Sequence, residues 1–225
     1  PSMLPLEVLE QAQADFVDYQ GCGMSVTEMS HRSKQFDAIH NECISLIREL
    51  MGVPENYEVL LVQGGASTQF AAIPMNLLKS GKADYVVTGN FAKKAMQEAR
   101  KYGDIHVAGS SEEAKFTYIP KDLDVRADAD YLYICQNNTI FGTRFTRLPE
   151  CEMPLVADVS SNILSEEMDV SKYGVIYAGA QKNLAPAGLT IVIVRKDLIK
   201  EPMSFCPTML SWKVMAENNS LYNTP

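Results

Sequence analysis

Apolar residues recur at helical spacing through the N-terminal part of the chain. One set is spaced four residues apart: Leu4, Val8, Ala12 and Phe16. A second set follows a three-four pattern: Phe36, Ile39, Cys43, Leu46, Ile47 and Leu50. Both spacings are typical of amphipathic helices, which bury one face and expose the other. We therefore predict helices over residues 5–19 and 28–51, joined by a glycine-bearing connection.

From residue 58 onward the pattern changes to short apolar runs. Seven are present: EVLLV, DYVVTG, IHVAG, DYLYIC, PLVADVS, GVIYAG and LTIVIVR. Helical patterns, such as the one from Phe91 to Tyr102, separate several of them. Strands that alternate with helices need crossover connections, which imply a largely parallel sheet with helices on both faces. The pattern predicts an α/β fold with a mainly parallel seven-stranded sheet between helices.

Ligands of such sheets bind where the strands end, so residues just after each apolar run are the first candidates. After EVLLV, Gly64 and Gly65 permit a tight turn, and Ser67 or Thr68 stands at the start of a helix. Backbone N–H groups at a helix start favour an anion such as phosphate. A plain helix cap fits the same residues, because the segment has neither the P-loop lysine nor GxGxxG spacing.

Two further strand ends carry polar or aromatic residues. Phe91 follows DYVVTG, where its ring belongs either to the sheet edge or to the core. Asn137, Asn138 and Thr139 follow DYLYIC and offer hydrogen bonds, as many loop residues do. Neither signal decides a function by itself.

A carboxylate and an amine follow two other strands. Asp158 interrupts the apolar run PLVADVS, and a buried carboxylate needs a partner, which a cation, a metal or a protonated ring nitrogen would supply. A capping or turn aspartate is the structural alternative. Lys182 follows GVIYAG, so both groups are expected to converge on one ligand. Desolvation in a cleft lowers the pKa of a lysine and frees its amine to attack a carbonyl.

Composition narrows the classes of function. The chain has 20 Lys and Arg against 28 Asp and Glu, a formal charge of −8, which disfavours nucleic-acid binding. The five cysteines are scattered without a CxxC pair, which argues against a disulfide framework and a zinc site, and we predict no metal. Neither a membrane span nor a signal peptide is visible, and we predict a cytoplasmic protein.

Several segments together resemble one enzyme family, the phosphoserine aminotransferases. ADVSSNILS and DVSKYGVIYAGAQKNLAPAGLTIVIVR resemble its aspartate and lysine segments. Five more segments resemble it in the same order: LPLEVLEQAQ, EMSHRSKQF, GGASTQFAAIPMNLL, NNTIFGT and ENNSLYNTP. These are class V aminotransferases with the fold-type I architecture of pyridoxal-phosphate-dependent enzymes. The resemblance implies the large domain of that fold and a pyridoxal 5'-phosphate cofactor.

The resemblance also implies roles for residues around the cofactor ring. Lys182 is expected to form a Schiff base with the cofactor and later to move the substrate proton. Asp158 is expected to keep the pyridine nitrogen protonated. Phe91 stands where many members have a tryptophan stacked on the ring, and Thr139 is expected to bond near the phenolic oxygen.

Phosphate groups account for the other implied contacts. The cofactor phosphate is expected to bind a set of five residues: Ala66, Ser67, Gln181, and Asn223 and Thr224 from the second subunit of a homodimer with shared active sites. His31 and Arg32 match the pair that contacts the substrate phosphate. From the residues alone, a solvated His-Arg loop is the simpler interpretation. The position of the pair within MSHRSK, the segment that resembles the family, favours phosphate binding instead.

The resemblance implies a division of the chain and an activity. Residues 1–51 are expected to form a helical segment packed on the large domain, residues 52–225 to form that pyridoxal-phosphate-binding domain, and a C-terminal small domain to be absent. The implied enzyme, phosphoserine transaminase, interconverts O-phospho-L-serine plus 2-oxoglutarate and 3-phosphohydroxypyruvate plus L-glutamate in L-serine biosynthesis. The alternatives are a non-catalytic cofactor-binding or dimerisation fragment, or another class V activity.

Overall fold

The chain forms a layered α/β structure around one large sheet. The computed structural model describes residues 3–222. Within that range the helices are α1 Leu6–Val17, α2 Lys34–Met51, α3 Ala66–Leu77, α4 Asn90–Ala99 and α5 Trp212–Glu217. The sheet strands are β1 Tyr57–Gln63, β2 Lys82–Val87, β3 Asp104–Ser110, β4 Leu132–Cys135, β7 Leu155–Asp158, β8 Val175–Gly179 and β9 Leu189–Arg195. The short strands β5 Asn137–Asn138 and β6 Thr143–Arg144 pair with each other.

The seven predicted strands are all present in one sheet, in the order β1-β9-β8-β7-β4-β2-β3. Strand β9 is antiparallel to both of its neighbours, and the other neighbouring pairs are parallel. The reversal follows from the β8–β9 connection, residues 180–188, which is too short for a parallel crossover. The predicted mainly parallel seven-stranded sheet is therefore confirmed.

Both faces of the sheet are covered by apolar side chains. One face packs against α3, α4 and α5, through residues such as Phe70, Met96 and Trp212. The opposite face packs against the end of α2, through Ile47 and Met51. No helix within residues 3–222 is both long and apolar enough to cross a membrane.

The start predicted for the second helix was wrong. Helix α2 begins at Lys34 rather than residue 28, because the Ser33 side chain accepts a hydrogen bond from the Phe36 N–H and caps the helix there. The segment before it forms a separate short 3₁₀ turn, closed by a capping box between Ser25 and Glu28.

The N-terminal helices differ in how they contact the rest of the chain. Helix α2 buries His40, Ile47 and Met51, and His40 Nε2 lies 2.8 Å from the carbonyl oxygen of Asn219. Helix α1 has no buried residue. The predicted division into residues 1–51 and 52–225 stays a prediction.

Arg126 is expected to be a major source of stability at the amino edge of the sheet. Its Nε donates to the fully buried Asp84 carboxylate at 2.7 Å, and its guanidinium also bonds Asp104. Arg126→Ala would leave Asp84 charged without its cation, so we expect a loss of about 3–5 kcal/mol in the free energy of unfolding. Urea unfolding measures this loss.

Arg144→Ala is the matched control for that prediction. Arg144 pairs with Glu166, and both side chains are substantially exposed. Exposed pairs contribute about 1 kcal/mol or less, so this variant should unfold close to wild type. Equal losses in the two variants would contradict the assigned role of Arg126.

Candidate functional site

Most of the predicted site residues follow strands that end at the same edge of the sheet. Strands β2, β4, β7 and β8 run parallel, and β1 runs in the same direction because both β1 and β8 oppose β9. Their carboxyl ends therefore lie along one edge. The predicted site residues lie at these strand ends, in the loops after them or in the first turn of the next helix: Ala66, Ser67, Phe91, Thr139, Asp158, Gln181 and Lys182.

Lys182 lies at the centre of this edge. Strand β8 ends at Gly179, and a turn follows in which the Leu184 and Ala185 N–H groups donate to the Ala180 carbonyl. The half-buried Lys182 side chain donates from Nζ to Thr139 Oγ1 at 2.7 Å. Its Nζ also lies 4.3 Å from the centre of the Phe91 ring, within the range of a cation–π contact. Thr139 and Phe91, which follow two other strands, thus both contact the Lys182 amine.

Phe91 has both of the environments that its sequence position left open. It is the second residue of α4 and packs partly against the core on that face of the sheet. The Lys182 Nζ also lies over the face of its ring. The ring is therefore held by the core and presented at the sheet edge.

Asp158 is buried, with 5% of its surface exposed, and it is the last residue of β7. Its Oδ1 accepts hydrogen bonds from the Ser160 N–H at 2.9 Å and from Ser160 Oγ at 2.6 Å. Its Oδ2 accepts from the Tyr177 hydroxyl at 3.2 Å. All three donors are neutral, so they solvate the carboxylate without cancelling its charge.

The charges of Asp158 and Lys182 both affect the pKa of the Cys135 thiol. It is paired opposite Asp158 on the neighbouring strand β4. Burial raises the pKa of the Cys135 thiol well above its usual value, the Asp158 charge raises it further, and the Lys182 charge lowers it. Both the Asp158 carboxylate and the Lys182 amine are therefore near enough to Cys135 to affect it.

The N-terminus of α3 forms a second part of the site. Gly64 has a φ of +84°, which allows the tight turn after β1, and the N-cap residue Gly65 makes no side-chain capping hydrogen bond. A tight turn followed by a helix start, the plain alternative, is thus present, and the Thr68 N–H donates to the Gly65 carbonyl. Backbone N–H groups of a first helical turn also suit an anion, so the predicted phosphate site stays a prediction.

Gly179 brings the α3 terminus against the lysine turn. A Cβ added at Gly179 would lie 2.9 Å from Gln181 Oε1 and 3.3 Å from the Ala66 backbone nitrogen. A side chain here would require Gln181 or the start of α3 to shift. The predicted phosphate contacts Ala66 and Gln181 are thereby brought together, and Ser67 is exposed on the first turn of α3.

Two asparagines support the loop that carries Thr139. The buried Asn138 donates to Thr88 Oγ1 and to Thr143, both at 3.2 Å. Asn137 donates to Ser161 Oγ at 2.8 Å, which ties this loop to the turn after Asp158. These bonds fix Thr139 within reach of Lys182.

The predicted substrate pair makes no hydrogen bond with this cluster among residues 3–222, and its role stays a prediction. Within residues 3–222, no hydrogen bond, ion pair or ring contact connects His31 or Arg32 with Lys182, Phe91, Thr139 or Asp158. His31 Nε2 is buried and has no hydrogen-bond partner among the described residues, and the Arg32 side chain is exposed. Asn223 and Thr224 lie outside the described residues.

Two partners of Asp158 were missed by the sequence reasoning. Ser160 follows the aspartate by two positions, a spacing that allows the short side-chain turn seen here. Tyr177 stands in the middle of an apolar strand, where a buried hydroxyl must find an acceptor. Both signals were present in the residues.

Comparison with known proteins decides the family. The model of the aminotransferase class-V family matches residues 1–225. The chain belongs to this family. It is 57% identical to a phosphoserine aminotransferase of Bacillus cereus over 229 aligned residues, which span all of this chain and 64% of the relative.

Solved structures give the same result. The chain is 52% identical to phosphoserine aminotransferase from Bacillus circulans subsp. alkalophilus, with a TM-score of 0.96 over the whole chain and 63% of that structure. It is 40% identical to the pyridoxal-phosphate-bound enzyme from Trichomonas vaginalis, with a TM-score of 0.94 over the whole chain and 68% of that structure. The predicted fold-type I architecture and the resemblance to phosphoserine aminotransferases are confirmed, and the chain spans about 64% of the curated relatives' length.

Proposed function

We propose that this chain is the cofactor-binding part of a phosphoserine aminotransferase, which interconverts O-phospho-L-serine plus 2-oxoglutarate and 3-phosphohydroxypyruvate plus L-glutamate in L-serine biosynthesis. The observation that carries the proposal is the placement of the Lys182 amine against Thr139 and Phe91 at the edge that also holds the buried Asp158. Relatives 52–57% identical bear the phosphoserine aminotransferase name.

The residues fit pyridoxal 5'-phosphate, which has a phosphate, an aromatic ring, a ring nitrogen, a phenolic oxygen and an aldehyde. The start of α3 has no side-chain cap and lies close to the turn at Gly179. Backbone N–H groups at a helix start suit a phosphate. The face of Phe91 can stack on the cofactor ring. The Asp158 carboxylate accepts hydrogen bonds from neutral donors, so its charge is left to pair with a protonated ring nitrogen. When bound, this cofactor supplies an electron sink for the carbanion formed at the substrate's α-carbon.

The chain's own residues would handle attachment and proton transfer. Lys182 would attach the cofactor through Nζ and, once released, would move the proton between the substrate's α-carbon and the cofactor's aldehyde carbon. Asp158 would hold a proton on the ring nitrogen, because its carboxylate is buried and fixed. Thr139 would orient the phenolic oxygen, and Phe91 would cover one ring face and exclude water.

Recognition of the phosphorylated substrate is assigned to His31 and Arg32. The exposed Arg32 guanidinium suits a phosphate, which it can bind with two parallel hydrogen bonds. The neighbouring His31 has a ring nitrogen without a hydrogen-bond partner in the part of the chain that the structure describes. These two residues would distinguish phosphoserine from serine.

We also propose that the active enzyme is a homodimer. Helix α1 buries none of its residues, and several of its apolar side chains are exposed: Leu6, Val8, Leu9, Phe16 and Val17. An exposed apolar surface of this kind favours association. Asn223 and Thr224 would then reach the cofactor phosphate of the second subunit, and a cytoplasmic location stays a prediction.

Spectrophotometry tests the proposed activity. Purified protein mixed with pyridoxal phosphate should gain a visible band that borohydride bleaches, and the band should change when phosphoserine is added. Serine, alanine and cysteine serve as matched amino donors and should have little effect. No band would contradict cofactor binding, a band that phosphoserine leaves unchanged would indicate a non-catalytic module, and a response to alanine or cysteine would indicate another class V activity.

A further inference from the structure

Two buried tyrosines lie next to the Asp158 carboxylate. Tyr177, on β8, is paired directly with Asp158 in the sheet, and its hydroxyl lies 3.2 Å from Oδ2. The Tyr133 hydroxyl, from β4, lies 2.7 Å from the Tyr177 hydroxyl. Both side chains are fully buried.

The proton donors in this pair have a fixed order. An ionised carboxylate can only accept hydrogen bonds, so the Tyr177 proton must point at Asp158. A phenol has one proton, so Tyr177 can only accept from Tyr133. The order of donation is therefore Tyr133 to Tyr177 to Asp158, and the first bond strengthens the second by polarising it.

Burial and the Asp158 charge outweigh the hydrogen bond with Tyr177 that lowers the pKa of Tyr133. Burial raises the pKa of Tyr177 well above its ordinary value, and the Asp158 charge raises it further. The same two causes raise the pKa of Tyr133, in the same order. The Cys135 thiol, a further neighbour of Asp158, also has a raised pKa, which the charge of Lys182 lowers in part. Both phenols therefore remain protonated donors around neutral pH.

The hydrogen bonds described above fill most of the acceptor sites of the Asp158 carboxylate. A carboxylate has about four lone-pair sites. Ser160 occupies two on Oδ1 and Tyr177 occupies one on Oδ2, which also blocks rotation of the group. Counting the donors within residues 3–222, one site on Oδ2 is left for a further donor.

We propose that Tyr177 and Tyr133 are positioning residues that hold Asp158 Oδ2 toward the ring nitrogen of the cofactor and keep Asp158 ionised there, so that the proton stays on the nitrogen. The inference rests on the proposed function. It assigns the nitrogen contact to Oδ2 rather than Oδ1, and it assigns a functional role to two residues that do not themselves contact the cofactor.

The test uses the full-length protein loaded with pyridoxal phosphate carrying ¹⁵N in its ring. The ¹⁵N chemical shift reports whether the nitrogen is protonated, and a pH series gives its proton affinity. Tyr177→Phe should lower the nitrogen's proton affinity relative to that of Asp158 roughly tenfold, because loss of a hydrogen bond that stabilises the ionised carboxylate makes Asp158 more basic. Tyr133→Phe should lower it by less, roughly threefold, and the double variant should match Tyr177→Phe alone.

Tyr131→Phe is the matched control. Tyr131 is equally buried and belongs to another phenol pair, with its hydroxyl 2.8 Å from that of Tyr85. It should leave the ¹⁵N shift unchanged, so a general effect of losing a buried hydroxyl is separated from the proposed one. Thermal unfolding of each variant checks that the fold is intact, and the double variant leaves no orphaned hydroxyl at this position.

Two results would overturn the inference in distinguishable ways. A wild type whose ring nitrogen is protonated, with the same proton affinity in Tyr177→Phe and Tyr131→Phe, would overturn this inference alone. A wild type that binds no cofactor would overturn the proposed function and the inference together.

Discussion

Lys182→Ala is expected to reduce transamination by the full-length protein by about 10⁴-fold or more, because one amine is assigned both covalent attachment and proton transfer. The side chain is the point where Thr139 and Phe91 meet, so its loss removes the reacting group and leaves the surrounding contacts in place. Steady-state rates with phosphoserine and 2-oxoglutarate measure the effect.

Lys94→Ala is the control for the lysine prediction. Lys94 Nζ lies 6.0 Å from the centre of the same Phe91 ring, so it tests whether any nearby cation suffices. This variant should retain activity within a few-fold of wild type. Normal activity in Lys182→Ala would remove the basis of the proposed chemistry.

Asp158→Asn is expected to lower kcat by about 10²- to 10³-fold, the size of effect found when one fixed electrostatic partner is removed from an active site. The amide has nearly the same shape but no charge, and its nitrogen cannot accept the Tyr177 hydrogen bond. The ring nitrogen would lose the group that holds its proton. Rates and bound cofactor should be measured together, so that lost chemistry is separated from lost binding.

The chain contains a close counterpart of Asp158 for this experiment. Asp169 accepts hydrogen bonds from the Ser171 N–H and hydroxyl in the same aspartate-x-serine turn, but it is solvent-exposed. Asp169→Asn should leave kcat unchanged. If both variants retained wild-type kcat, Asp158 would be a structural turn residue, the alternative that the sequence left open.

Much of the fold was predictable because each strand is a contiguous apolar run. Such runs need burial on both faces, so all seven strands were located correctly. The direction of β9 was not part of the pattern, because it depends on how short the preceding connection is. The start of α2 was misplaced because Ser25 and Glu28 close their own turn, which a helical spacing count cannot detect.

The site was predictable to the extent that it depends on strand ends. Because parallel strands end at one edge, Asp158 and Lys182 could be placed near each other before any coordinates were known. The hydroxyl of Tyr177 could not be assigned to Asp158 without the register between β7 and β8. His31 and Arg32 belong to a segment outside the sheet, so the strand-end rule gives them no position.

The most direct test of the central claim is to find which lysine carries the cofactor. Protein incubated with pyridoxal phosphate, reduced with borohydride, digested and analysed by mass spectrometry should carry the pyridoxyl group on the peptide that contains Lys182. The unmodified form of that peptide should decrease in proportion to bound cofactor. Label on Lys94 or another lysine, with Lys182 unmodified, would contradict the account.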